Sequence, residues 1–133
     1  MVRKATCCCG VLTIEVEGDP RLHGVCHCAD CKRRTGSAFG MSAYFDDSKI
    51  LSKSGEAATY AITGDKDQQR HFCAACGTTL YWTSAHFAGM TGIAGGCFTD
   101  LPLPEPTVTL SNDGRCPWLR LPSHWATSLA DRN

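Results

Sequence analysis

The residues most able to do chemistry in this chain are cysteines, and they come in three groups. Cys7-Cys8-Cys9-Gly10 contains a CxC pair, Cys26-His27-Cys28-Ala29-Asp30-Cys31 a CxCxxC triple, and Cys73-Ala74-Ala75-Cys76-Gly77 a CxxCG knuckle. These spacings use seven of the ten cysteines. Thiols grouped so closely in a small chain form the ligand pattern of a tetrahedral metal ion, zinc above all. Seven ligands complete one four-thiolate shell and leave a second shell one ligand short. An incomplete shell is where chemistry becomes possible, because water or a substrate can take the fourth position. The pattern predicts two Zn²⁺ per chain, one structural and one catalytic.

The rival reading is a disulfide-rich secreted module, and two observations count against it. The stretch Met1-Val2-Arg3-Lys4-Ala5-Thr6 has no apolar core of a signal peptide, and no run is long and apolar enough to cross a bilayer. The expectation is a cytoplasmic protein whose thiols stay reduced. In an extended Cys-x-Cys pair the Cα atoms also lie roughly 6.5–7 Å apart, at the limit for a disulfide, while both side chains point to one face.

The seven ligands divide in two ways. Structural sites commonly draw two pairs from distant segments, which clips the fold across a long loop. Cys7, Cys9, Cys73 and Cys76 would do this, leaving Cys26, Cys28 and Cys31 as a self-contained open site. In the alternative, Cys97, Cys116 or a histidine closes the second shell, with Cys97, after a glycine-rich run, the foremost candidate. His27 is either a ligand or a structural histidine beside the site. Cys8 reads as a small buried or surface thiol.

Short elements must position these groups. Leu12, Ile14 and Val16 alternate with polar residues, as in a half-buried strand. Cys7 and Cys9 are expected on one face of its extended lead-in, with Cys8 on the other. Gly18-Asp19-Pro20 signals a turn, and Leu22 to Cys26 a second strand, which predicts a hairpin bringing the first two cysteine groups together. If that strand continues, Cys26 and Cys28 share a face and a turn over Ala29-Asp30 returns Cys31 to them. Strands are also expected at Phe39–Phe45, Thr59–Thr63, Thr78–Trp82 and Thr107–Leu110. Glycines 89, 92, 95 and 96 suggest bulges or close approach of another backbone or a ligand. The polar run Asp65–Arg70 reads as a solvated loop whose charges need no functional explanation. The whole predicts a mainly β domain over residues 1–133, with short strands and little helix.

At 133 residues the chain suits one domain with a modest core. Thirteen basic and thirteen acidic side chains balance, so no basic surface points to nucleic acid. Seven thiolates holding two Zn²⁺ would shift the working charge by about three units toward negative. Lys32-Arg33-Arg34 places three cations beside the triple, either as a solvated basic turn or as a clamp for an acidic thiol.

These motifs resemble a known family, the glutathione-dependent formaldehyde-activating enzymes, or S-(hydroxymethyl)glutathione synthase-like proteins. The resemblance rests on Cys7-Cys8-Cys9-Gly10, on Cys26 through Arg33 with Thr35-Gly36-Ser37, on Phe72 through Thr78, and on Pro117-Trp118. It implies a small β-tent fold of packed antiparallel sheets. It also implies structural zinc on Cys7, Cys9, Cys73 and Cys76 and catalytic zinc on Cys26, Cys28 and Cys31. The departures, at Ala5, Gly96–Asp100 and Thr107, lie outside the seven implied zinc ligands. The implied activity is that of a carbon–sulfur lyase or synthase. It would join a thiol such as glutathione to formaldehyde or another small aldehyde, or cleave the adduct, with Lys32, Arg33 and Arg34 as substrate contacts. A non-catalytic, zinc-stabilised binding module is the alternative.

Overall fold

The structure, a computed structural model, describes residues 1–126; residues 127–133 of the expected domain lie outside them. Strands β1 (Val2–Thr6), β2 (Thr13–Glu17) and β5 (Ile50–Ser54) form a three-stranded antiparallel sheet in the order β1-β2-β5. A larger sheet has the order β10 (Val108–Ser111), β3 (Leu22–Cys26), β4 (Gly40–Asp46), β9 (Met90–Ala94), β8 (Thr79–Thr83), β7 (Gln68–Cys73), β6 (Ala57–Ile62). Its pairings are antiparallel except β10 with β3, which is parallel. The fold is therefore mainly β, as expected, with α1 (Ala29–Thr35) the one α-helix among the described residues.

The sheets pack through the alternation read in the sequence. Ala5, Ile14 and Val16 from the small sheet meet Ala43, Phe45, Leu80 and Ile93 from the large one, all fully buried. Each large aliphatic or aromatic side chain so buried contributes about 1.5–3 kcal/mol. Cys7 and Cys73 belong to the same cluster, so the metal-ligand pattern is anchored in the core.

The expected hairpin does not form: β2 and β3 lie in different sheets. The burial patterns explain it. β2 alternates buried and half-buried positions, which suits a sheet with one wet face. His23 through Cys26 are buried in succession, so both faces of β3 need cover, and only an interior place in the larger sheet supplies it.

The other face of the large sheet carries the second cysteine group. Strand register puts Cys26, Ser42, Tyr44, Gly92, Ala94, Trp82 and Arg70 on this one face. Here the chain departs again from expectation, because Ala29-Asp30 starts a helix rather than a bare turn. Ala29 through Arg34 contain no β-branched residue or proline, and Gly36 ends the helix in the left-handed conformation, φ 63°, donating to Lys32 O at 2.7 Å. Helix α1 lies on β4, and its Arg34 guanidinium stacks 4.4 Å from the centre of the Trp82 ring. Trp82 in turn lies so close over Gly92 that a Cβ there would overlap the indole. The close neighbour at Gly92 is thus a side chain, where the glycine-rich run suggested a bulge, another backbone or a ligand.

Candidate metal centres

The first cluster is built by two tight turns. After β1, the Cys7 N–H donates to Leu12 O at 3.0 Å, Gly10 N–H to Cys7 O at 3.0 Å, and Leu12 N–H to the Cys7 sulfur at 3.2 Å. After β7 the pattern recurs, with Gly77 N–H on Cys73 O at 2.8 Å and Cys76 N–H on the Cys73 sulfur at 3.4 Å. Gly10 and Gly77, φ 86° and 83°, permit both turns. Cys7 and Cys9 therefore converge through a turn, not along the extended strand expected. Thr78 joins the two turns, accepting from Cys8 N–H at 3.1 Å with its hydroxyl 3.3 Å from the Cys76 sulfur. That hydroxyl and the surrounding backbone N–H groups hold the Cys76 thiol down to about 5.

The four sulfurs of Cys7, Cys9, Cys73 and Cys76 all lie within 4.8 Å of one another. Cys9 stands 3.7 Å from both Cys7 and Cys73. Four ligands on a tetrahedral zinc at about 2.3 Å would be separated by roughly 3.8 Å. The donor set and its spacing fit such an ion.

The second cluster is made where β3 runs into α1. Cys26 ends the strand, Cys28 caps the helix in extended conformation, and Cys31 sits in its first turn. Their sulfurs also lie within 4.8 Å of one another, with Cys26 and Cys28 3.3 Å apart. The thiols of Cys26 and Cys31 both hydrogen-bond to Cys28 and hold it well below the usual thiol range. Cys26 is driven up by the same bond to Cys28, by Cys31 and by burial. Among the described residues this second cluster has three members. Cys97 is not one of them; it packs beside the core and faces the charge of Cys7 and Cys76. Cys116 and His27 are not members either. His27 is fully buried, with its ring 5.9 Å from Phe39 and its backbone N–H on Ser111 O. All ten cysteines are free thiols.

A cavity of about 510 Å³ opens over the triple. Its walls include Ser42, Tyr44, Phe87 and Leu110, with Lys66, Gln68, Ser84 and His86 on the polar side. Burial raises the Tyr44 phenol to about 12, so it stays protonated. Its oxygen accepts from the Trp82 indole N–H at 3.1 Å, which leaves its own proton to donate.

The three expected cations part company on the helix. Lys32 Nζ donates to Gly114 O at 2.7 Å, Arg33 is exposed, and Arg34 is tucked against Trp82. None of them lines the cavity over the triple. The residue that does is Lys66, from the run expected to be an idle solvated loop. Lys66 Nζ lies 2.9 Å from Asp30 Oδ2 and 4.0 Å from the Cys28 sulfur. Burial opposes its charge, but Asp30 and the negative charge on Cys28 outweigh that and raise its pKa. Arg70, buried on β7, donates to Asp30 O at 3.1 Å and to Gln68 Oε1 at 2.7 Å. Sequence reasoning missed these residues because the contact of β7 with α1 joins positions 40 residues apart. The run Asp65–Arg70, polar throughout, carries no local signal of it.

No helix among the described residues is long and apolar enough to cross a membrane. A family model described as glutathione-dependent formaldehyde-activating enzyme matches residues 2–112. No curated protein matches the chain. A crystal structure of a Rhodobacter sphaeroides protein is similar in fold, with a TM-score of 0.60 at 22% identity; the match covers 76% of this chain and 99% of that one.

Proposed function

The chain belongs to the glutathione-dependent formaldehyde-activating enzyme family, and from that premise we propose that it forms or cleaves an S-hydroxymethyl adduct. The partners are a thiol, glutathione by the family's description, and formaldehyde or a similarly small aldehyde. In this reading residues 1–133 are one zinc-binding domain acting in the cytoplasm, where thiols remain free. Cys7, Cys9, Cys73 and Cys76 hold structural zinc, and Cys26, Cys28 and Cys31 hold the ion that serves the reaction. Zinc held there supplies Lewis acidity and an open position for sulfur or oxygen.

The chain's own residues do the rest. The triple fixes one end of the cavity, so a bound thiol and aldehyde meet in a defined geometry. Phe87, Leu110 and the Tyr44 ring give the cavity an apolar wall beside the meeting point. In the forward direction the substrate sulfur attacks the carbonyl carbon and a carbon–sulfur bond forms. The π pair moves to the oxygen, which takes up the proton the thiol released. Three thiolates around a divalent ion leave one negative charge, which the nearby Lys66 and Arg34 cations offset. Thiolate ligands also donate charge and weaken Lewis acidity, which suits thiol handling better than strong activation of water. Arg33, exposed on α1, is free to meet a ligand carboxylate arriving from solvent.

The observation that supports this reading is a three-sulfur cluster in the wall of a cavity large enough for a small aldehyde and the thiol end of a peptide. The test compares the rate of adduct formation and cleavage for the wild-type protein, Cys28→Ser and buffer at matched zinc and thiol. A wild-type rate above both controls is expected. Equal rates across all three, with several aldehydes, would reject catalysis and leave a zinc-stabilised binding module.

A further inference from the structure

We propose that Lys66 is a catalytic residue of this site, binding the negatively charged oxygen that forms one carbon away from the substrate sulfur. The proposal rests on the thiol–aldehyde reading above. It concerns a residue outside the cysteine motifs, and three features of the structure carry it.

The first is reach. Lys66 Nζ stands 4.0 Å from the Cys28 sulfur and lines the cavity. A cation so near the cluster lies at the distance of the reacting atoms. The carboxylates of a tripeptide thiol are many bonds from its sulfur and would lie well away from this point. The second is donor capacity. An ammonium has three N–H donors; Asp30 takes one at 2.9 Å and Cys28 faces a second, which leaves one for a ligand.

The third feature is fixation. The Lys66 carbonyl accepts from Ala85 N–H at 2.9 Å and from the Ser84 hydroxyl at 3.1 Å, so the segment just after β8 pins the lysine from behind.

In the step itself, the substrate thiolate donates a pair to the carbonyl carbon and the oxygen becomes an alkoxide. Lys66 hydrogen-bonds that alkoxide without giving up its own proton. The proton comes from water in the cavity and replaces the one the thiol released on binding. Cleavage retraces these events.

The test uses the metal-loaded protein and two kinds of readout. Co²⁺ at the open cluster reports thiol binding through its sulfur charge-transfer band, with mercaptoacetate and ethanethiol as probes. Mercaptoacetate carries a charged oxygen close to its sulfur, and ethanethiol has none. Lys66→Gln should keep two metals per chain, weaken mercaptoacetate at least tenfold and change ethanethiol less than twofold. Lys66→Arg should recover most of the difference. In turnover with formaldehyde, Lys66→Gln should lower kcat roughly 100- to 1000-fold for glutathione and 2-mercaptoethanol alike, a range set by the loss of one oxyanion donor. Equal weakening of both probes, or of neither, overturns the proposal. So does loss of metal, or a defect confined to KM for glutathione, which would make Lys66 an anchor for a distant carboxylate. A wild-type protein with no rate above the blank would reject the reaction instead, and the mercaptoacetate comparison would still decide the role of Lys66.

Discussion

Replacing Cys73 by serine should unfold the protein, and the structure indicates how much stability is at stake. Cys73 and Cys9 are 64 residues apart, and their sulfurs lie 3.7 Å from each other. A metal joining them closes a loop of that length in the unfolded chain. By the same chain-entropy relation used for disulfides, a closure of that size contributes about 4 kcal/mol. The triple Cys26, Cys28 and Cys31 closes only a strand end and one helical turn, for which the same relation gives about 2 kcal/mol. Cys73 is also 1% exposed within the core cluster, so an unpaired serine hydroxyl there adds about 1–3 kcal/mol of desolvation. A structural zinc contributes about 10 kcal/mol in small modules, against 5–15 kcal/mol for a whole domain. Cys73→Ser should therefore give insoluble or non-cooperatively unfolding protein, and Cys8→Ser, an exposed position outside the cluster, should behave as wild type. Thermal melts with metal analysis of each purified variant provide the assay. Soluble Cys73→Ser protein that melts cooperatively within a few degrees of wild type and keeps both metals would refute the clip.

Cys28→Ser should lose the more weakly held of two metals and lower Tm by about 10 °C while the transition stays cooperative, because the long-range clip lies elsewhere; loss of both metals in mass spectrometry would contradict the division. Gly92→Ala would push a methyl into the Trp82 indole, which is 2% exposed and bonded to Tyr44. Such overpacking costs about 1–3 kcal/mol, or a fall in Tm of about 5–15 °C, whereas Gly96→Ala, with nothing near its Cβ position, should be neutral; equal melts for the two would show that Trp82 can yield. His23 is buried with Nδ1 2.9 Å from Pro104 O, and burial lowers its pKa below 6.5. The unfolded chain then binds the proton more readily, so His23 should destabilise the fold increasingly as pH drops below 6.5, and His23→Gln should flatten that part of the stability profile. A profile identical to wild type would remove His23 as its source.

The cysteine clusters were legible because their geometry is local. A CxC or CxxC pair converges within one turn whatever the sheet around it, so spacing alone brought Cys7 to Cys9 and Cys73 to Cys76. Pairing those two turns followed from counting, since seven thiols cannot complete two shells. The strands over Thr13–Glu17, Leu22–Cys26 and Val108–Ser111 were legible from alternation and bounding turns. Their partners were not. Nothing near Gly18-Asp19-Pro20 says that the chain changes sheets there, and β10 joins β3 in parallel through contacts some 80 residues apart in sequence. Lys66 and Arg70 were misread for the same reason: polar side chains in a short run look solvated until a distant helix end arrives to use them.

The two clusters divide the large sheet between them, and the division bears on how the protein works. Cys7 and Cys73 share the core with Phe45 and Ile93, on the face that packs against the small sheet. Cys26 lies on the opposite face, in register with Gly40 and beside Ser42 and Tyr44. Phe45 and Tyr44 are neighbours in one strand with side chains on opposite sides, so a single layer of backbone separates the two sites. A tightly packed layer resists deformation. A metal in the four-sulfur cluster would hold β7 and β8 in place, leaving ligands on the other face to exchange without loosening the core. The role proposed for Lys66 needs that rigidity, because its carbonyl is pinned to Ser84 and Ala85 just beyond β8 and its head lies 4.0 Å from the Cys28 sulfur. On the proposed reading the four-sulfur turn pair would act on the reaction only by position, fixing where the lysine stands relative to the three sulfurs.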